Sequence, residues 1–221
     1  MAILVQEIVA VYPILYTSIM KTHKTSICNT LSLLQCVASN PETCPSLLKS
    51  GIHLYLFPFL KVADNYRSYE NLRLTSLGVI GALLKHENMG SAKCLLKTEI
   101  VSICTNVIRN GAMLSKTVAV FILQRLLRDK DGRAHICSDT AMLSDVLNAL
   151  GDIMSNSGSH HSDDHQDPLE RTLDCYLRIA EDQDGLAKLK TILPQEFLDG
   201  SLEQFGDKIQ RKLAQIKVKL R

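Results

Sequence analysis

Apolar positions along this chain recur three and four residues apart rather than every second residue. Cys28, Leu31, Leu34 and Ala38 fall on one helical face; Leu72, Thr75, Val79 and Leu83 do likewise, as do Val118, Ile122, Arg125 and Leu126. Alternation of the strand kind is rare, and no Asn-Gly pair joins two β-branched runs. The pattern predicts helices throughout.

The helical segments repeat. "LSLLQCVASNPETCPSLL", "TSLGVIGALLKHENMG", "VAVFILQRLLRDKDG" and "LDCYLRIAEDQDG" each carry a strongly apolar helix and then a short polar turn, with further helices following. Anchored on Leu33, Val79, Ile122 and Tyr176, the steps are 46, 43 and 54 residues. The long step contains "SNSGSHHSDDHQDP", a flexible insertion expected at about residues 155–168. Without it the period falls in the armadillo and HEAT range. One such layer cannot bury its own apolar face, whereas stacked layers share a continuous core. The expectation is one all-α domain over residues 1–221, an armadillo-repeat superhelix (α-solenoid) of stacked three-helix layers. Its concave side would be lined by one helix per layer. "AILVQEIVAVY" reads as the last helix of a first layer. "DKIQRKLAQIKVKLR" reads as a cap, with Ile209, Leu213, Ile216 and Leu220 inward and a basic face of Lys208, Arg211, Lys212, Lys217, Lys219 and Arg221 outward.

Composition narrows the function classes. Residues of 46% apolar type supply a core, and a net charge of +2 is too small to argue for nucleic acid or a membrane surface. Glu7 interrupts the apolar start and no basic segment precedes it, against a signal peptide. No uncharged run approaches the length of a membrane span. Seven cysteines, Cys28, Cys36, Cys44, Cys94, Cys104, Cys137 and Cys175, include no CxxC clamp and are odd in number. Structural thiols in a reducing, intracellular compartment fit better than disulfides or zinc.

Candidate chemistry is sparse. No phosphate loop, nucleophile elbow, dinucleotide fingerprint or HExxH is present. His160, His161 and His165 lie with Asp163 and Asp164 in a Gly- and Ser-containing stretch, which reads as a solvated loop rather than a metal site. Cys137 follows His135 by two residues, yet nothing beside it supplies an oxyanion hole, and a buried thiol is the simpler reading. No catalytic residue, metal or cofactor is expected. Arg73 and Arg125 leave room for a mildly basic groove and weak nucleic-acid contact.

"NLRLTSLGVIGALLK" is nearly all apolar, yet it gives up side-chain volume at Gly78, Gly81 and Ala82. On a helix Asn71, Leu74 and Gly78 share one face. The glycines then either permit tight packing against the next layer or leave a trough that a partner can enter.

That stretch, with "LLQCVASNPETCPSLL", "LSKTVAVFILQRLL" and "CYLRIAEDQDGLAKLK", resembles subunit nine of the Ccr–Not mRNA deadenylase complex, the "required for cell differentiation" family. The resemblance implies an armadillo fold of about six repeats without enzymatic activity. It further implies docking on the Not scaffold subunit and recruitment of mRNA regulators through short helical or tryptophan-containing peptides, promoting deadenylation and translational repression. A cytoplasmic location follows, with the nucleus as a second one, and a homodimer is a further option. By motif, the groove positions are Asn71, Leu74 and Gly78 with Leu114, Thr117 and Val118. Two departures stand out. Family members usually carry tyrosine where this chain has Asn71, and they begin further upstream, so this is read as a divergent or N-terminally shortened member.

Overall fold

A computed structural model describes all residues except 1, 18–19, 63–66, 87–89, 158–165, 193, 198, 201, 203 and 221. Among the described residues every regular element is helical. The helices are α1 (Ala2–Ala10), α2 (Met20–Ser39), α3 (Cys44–Lys49), α4 (Phe57–Leu60), α5 (Arg67–Leu83), α6 (Ser91–Leu95) and α7 (Ile100–Asn110). They continue with α8 (Met113–Arg128), α9 (Lys130–Ser138), α10 (Thr140–Ser157), α11 (Gln166–Ile179), α12 (Gln183–Thr191) and α13 (Asp207–Leu220). No described helix is long and apolar enough to cross a membrane.

The helices sort into three rows. The long helices α2, α5, α8, α11 and α13 pack side by side in that order. Helices α4, α7 and α10 form a second row, and the short α3, α6, α9 and α12 a third. Each full layer therefore takes one helix from each row: α3–α4–α5, α6–α7–α8 and α9–α10–α11. The armadillo-like stack expected from the period is present. One continuous core runs from Ile8 to Ile216. Each fully buried Leu or Ile in it is worth about 1.5–3 kcal/mol.

The polar turns use one device twice. In "RDKDG", the Asp129 carboxylate accepts the Gly132 N–H at 2.8 Å and starts α9. In "AEDQDG", Asp182 accepts the N–H groups of Asp184 and Gly185, both at 3.1 Å, and starts α12. The glycines let the new helix press on the end of the old one. A Cβ on Gly132 would stand 2.2 Å from the Leu126 carbonyl oxygen, and one on Gly185 2.4 Å from that of Ile179. At the α3 end, Gly51 adopts φ +68°, the left-handed conformation that ends a helix most cheaply at glycine.

α1 precedes α2 and leans on it and on the 3-10 stretch Ile52–Leu56 that leads into α4. Two expectations need correction. Val79, Ile122 and Tyr176 are fully buried, but Leu33 is 58% exposed. The core residue beside it is Leu34, so the repeat was legible with an anchor one position off. The expected insertion narrows, because α10 runs to Ser157 and α11 starts at Gln166. His160, His161 and His165 lie outside the described residues.

Candidate peptide-binding face

Helices α5 and α8 lie parallel, as contacts at three levels require. At their starts, Glu70 Oε1 accepts the Ala112 N–H at 3.0 Å, completing the N-terminus of α8 from the neighbouring layer. Midway, a Cβ on Gly81 would lie 3.4 Å from Phe121 and 4.0 Å from Val118. At their ends, Arg125 Nε donates to the Leu84 carbonyl at 3.0 Å.

The other side of α5 meets α2. Thr75 Oγ1 is 3.9 Å from Cys28 Sγ, and a Cβ on Gly78 would meet first the Gln35 side-chain amide, 2.8 Å from its Oε1. The two glycines therefore do different work. Gly81 is buried and admits Phe121 of the next layer; Gly78 is half-buried, with one flexible side chain reaching across it.

Between these two contact lines α5 shows a strip to solvent. Asn71 is exposed, while Leu74 and Gly78 are half-buried. The matching strip on α8 contains Leu114, 67% exposed, and half-buried Thr117, Val118, Phe121 and Arg125. All six expected face residues thus lie on two adjacent parallel helices. Thr117 donates its hydroxyl to the Met113 carbonyl at 2.9 Å, so its donor is already used.

Phe121 and Gln35 were not singled out in the sequence. Phe121 continues the three-and-four spacing beyond Thr117 and Val118, which is the signal that could have found it. Gln35 belongs to another helix, and no local pattern links it to Gly78.

The arginines are not where a nucleic-acid groove needs them. Arg73 is 6% exposed, pairs with Glu70, and donates to the Val62 carbonyl at 2.8 Å. Arg125 closes the C-terminal end of α5 and lies 5.8 Å from the Phe121 ring centroid. On α13, Lys212 is taken up by Glu170 at 3.2 Å and by Asp174, so the basic face of that helix is partly neutralised.

Other chemistry recedes. Cys137 is buried while His135 on the same helix is exposed, and burial pushes the thiol up to about 12, with Asp182 adding to the rise. Such a thiol is a poor nucleophile. Among the described residues no group of three His, Cys, Asp or Glu side chains is placed to hold a metal ion.

Residues 1–220 match the cell differentiation family, Rcd1-like. The chain is 39% identical over 208 residues to Protein CAF40 of Saccharomyces cerevisiae, an alignment covering 92% of this chain and 54% of that protein. It is 38% identical over 206 residues to Cell differentiation protein rcd1 of Schizosaccharomyces pombe, covering 92% of this chain and 71% of that one. The chain thus spans about half the length of the budding-yeast relative. A family match along essentially the whole chain, laid over the stacked helical layers just described, places this protein in the Rcd1-like cell differentiation family.

Proposed function

We propose that this chain is a non-enzymatic adaptor of the Ccr–Not complex, and that the α5–α8 face binds an amphipathic helix carried by an RNA-associated regulator. The observation that supports this most directly is the strip itself. Half-buried Leu74 and Gly78 on α5, the latter crossed only by a side-chain end, share this face with exposed Leu114 and half-buried Val118 on the adjacent α8. A ligand helix with apolar residues at i, i+3, i+4 and i+7 can lay them along such a strip. Gly78 lets its backbone approach α5, and Gln35 can swing aside because only its side-chain end stands there. Asn71 is exposed on that strip and offers its amide to the ligand as a hydrogen-bonding partner. Docking on the Not scaffold would commit the regulator's mRNA to poly(A) shortening and repression.

The test is co-purification from the native source followed by two variants. Gly78→Trp fills the strip, and Val118→Glu sets a charge on its apolar wall. The parent chain should recover the Not scaffold, deadenylases and regulator peptides, and both variants should lose the peptides while keeping the scaffold. Retention of the same peptides by both variants rules out the α5–α8 face.

A further inference from the structure

At the far end of this face, α5, α8 and α11 finish around a cavity of about 480 Å³. Arg125, Arg128, Lys130 and Arg178 line it, with Asp129 as the acidic member. Helix C-terminal ends attract cations, which explains some of this charge. Arg125 is spent in that way on the Leu84 carbonyl. Arg178 sits in the last turn of α11 and pairs with Glu181 at 2.9 Å. Asp129 is engaged in starting α9.

Arg128 also stands in the last turn of α8, but it is exposed and makes no ion pair or hydrogen bond among the described residues. Lys130 likewise has none, and it opens α9, the helix end where the dipole disfavours a positive charge. Three guanidinium groups and an ammonium line this cavity, and the unpaired two, Arg128 and Lys130, suit a compact dianion with several acceptor oxygens.

The geometry points to a phosphomonoester site: the cavity receives a phosphoserine or phosphothreonine side chain of the peptide whose helix lies on the α5–α8 face. Continuity supports a peptide as the carrier. Leu114, Val118, Phe121, Arg125 and Arg128 follow one another at three- and four-residue steps along α8, so the apolar strip runs directly into the cavity. RNA fits less well: the described lining offers no Phe or Tyr for a base to stack on, and its one ring, His86, is held by donating to the Ser39 carbonyl at 2.8 Å. This inference rests on the groove reading above, and it makes phosphorylation of the regulator a switch for its capture.

The probes are designed amphipathic peptides with leucine at i, i+3, i+4 and i+7 and a serine, phosphoserine or glutamate one turn beyond either end. Free O-phosphoserine and a single-stranded RNA oligonucleotide complete the set. The phosphoserine peptide should bind the full chain roughly tenfold more tightly than the serine peptide, the size of one charge-assisted contact. Arg128→Glu and Lys130→Glu, both at exposed positions, should each erase that difference and leave serine-peptide binding unchanged. O-phosphoserine should shift the NMR signals of Arg128 and Lys130 even in Gly78→Trp. Shifts without any peptide binding would remove the groove and keep the cavity. Equal affinity for phosphorylated and unphosphorylated peptides at both ends, with no O-phosphoserine shifts, overturns the phosphate site. So does RNA binding that depends on Arg128 while the phosphopeptide gains nothing.

Discussion

Arg125 on α8 donates its Nε–H to the carbonyl oxygen of Leu84 at 3.0 Å, so the end of α5 is closed by a side chain from the next layer. Helix ends leave carbonyls without intrahelical partners, and a cation beside them satisfies both the hydrogen bond and the dipole. Arg125→Met keeps the stem and removes the donors. It should cost about 1–2 kcal/mol of stability in urea unfolding. An unchanged midpoint would mean that water replaces the guanidinium without loss.

The glycines of this chain should respond to alanine in opposite directions. Gly132→Ala and Gly185→Ala press a methyl group onto the Leu126 and Ile179 carbonyl oxygens, where backbone must move. Each should destabilise by about 1–3 kcal/mol, the scale of overpacking. Gly78→Ala meets only the end of the Gln35 side chain and gains helix propensity of up to about 1 kcal/mol. Thermal melts of the three variants read the contrast directly, and equal losses at all three would contradict it.

Leu114 is the most exposed large apolar residue of the candidate face. Leu114→Asp should change stability by no more than about 0.5 kcal/mol, as surface substitutions do. Affinity for an amphipathic helical peptide should fall at least about tenfold, since an apolar anchor is lost and a charge must be desolvated. Fluorescence anisotropy measures the second effect and calorimetry the first. Full affinity in this variant would move the binding surface elsewhere.

His53 sets an acid-side limit on stability. It is 3% exposed, packs edge-on to Phe57 with centroids 6.3 Å apart, and burial holds its imidazole below the ordinary value. The unfolded chain takes up this proton near pH of about 6.5, whereas the folded chain takes it up only at lower pH. Between those two values the unfolded state binds more protons, so stability falls as pH drops below about 6.5 and is insensitive to this group above it. Urea midpoints at pH 7.5 and 5.5 should therefore diverge more in the parent than in His53→Gln. The same slope in both would assign acid sensitivity to other groups.

Much of the fold was legible because helix periodicity is a local property. On the predicted faces Leu31, Leu34, Ala38, Leu72, Val79, Leu83, Ile122 and Leu126 are buried as their spacing requires, while Cys28, Thr75, Val118 and Arg125 at their edges are half-buried. The turns "RDKDG" and "AEDQDG" announced themselves through an aspartate three residues ahead of a glycine. The candidate face was legible only in part: Asn71, Leu74 and Gly78 share a face by angle alone, whereas Leu114, Thr117 and Val118 came from the family resemblance and not from their spacing.

By itself, then, the sequence determined the helices, their repeat and the residues that must be turned inward, since these depend on neighbours three or four positions away. Only the tertiary structure decided that Gly81 receives Phe121 while Gly78 lies under Gln35, and that Arg125 closes another helix. Those outcomes join residues about forty positions apart across stacked layers. Which side chain fills the space between two helices depends on how the layers settle against one another, and no spacing along the chain records that.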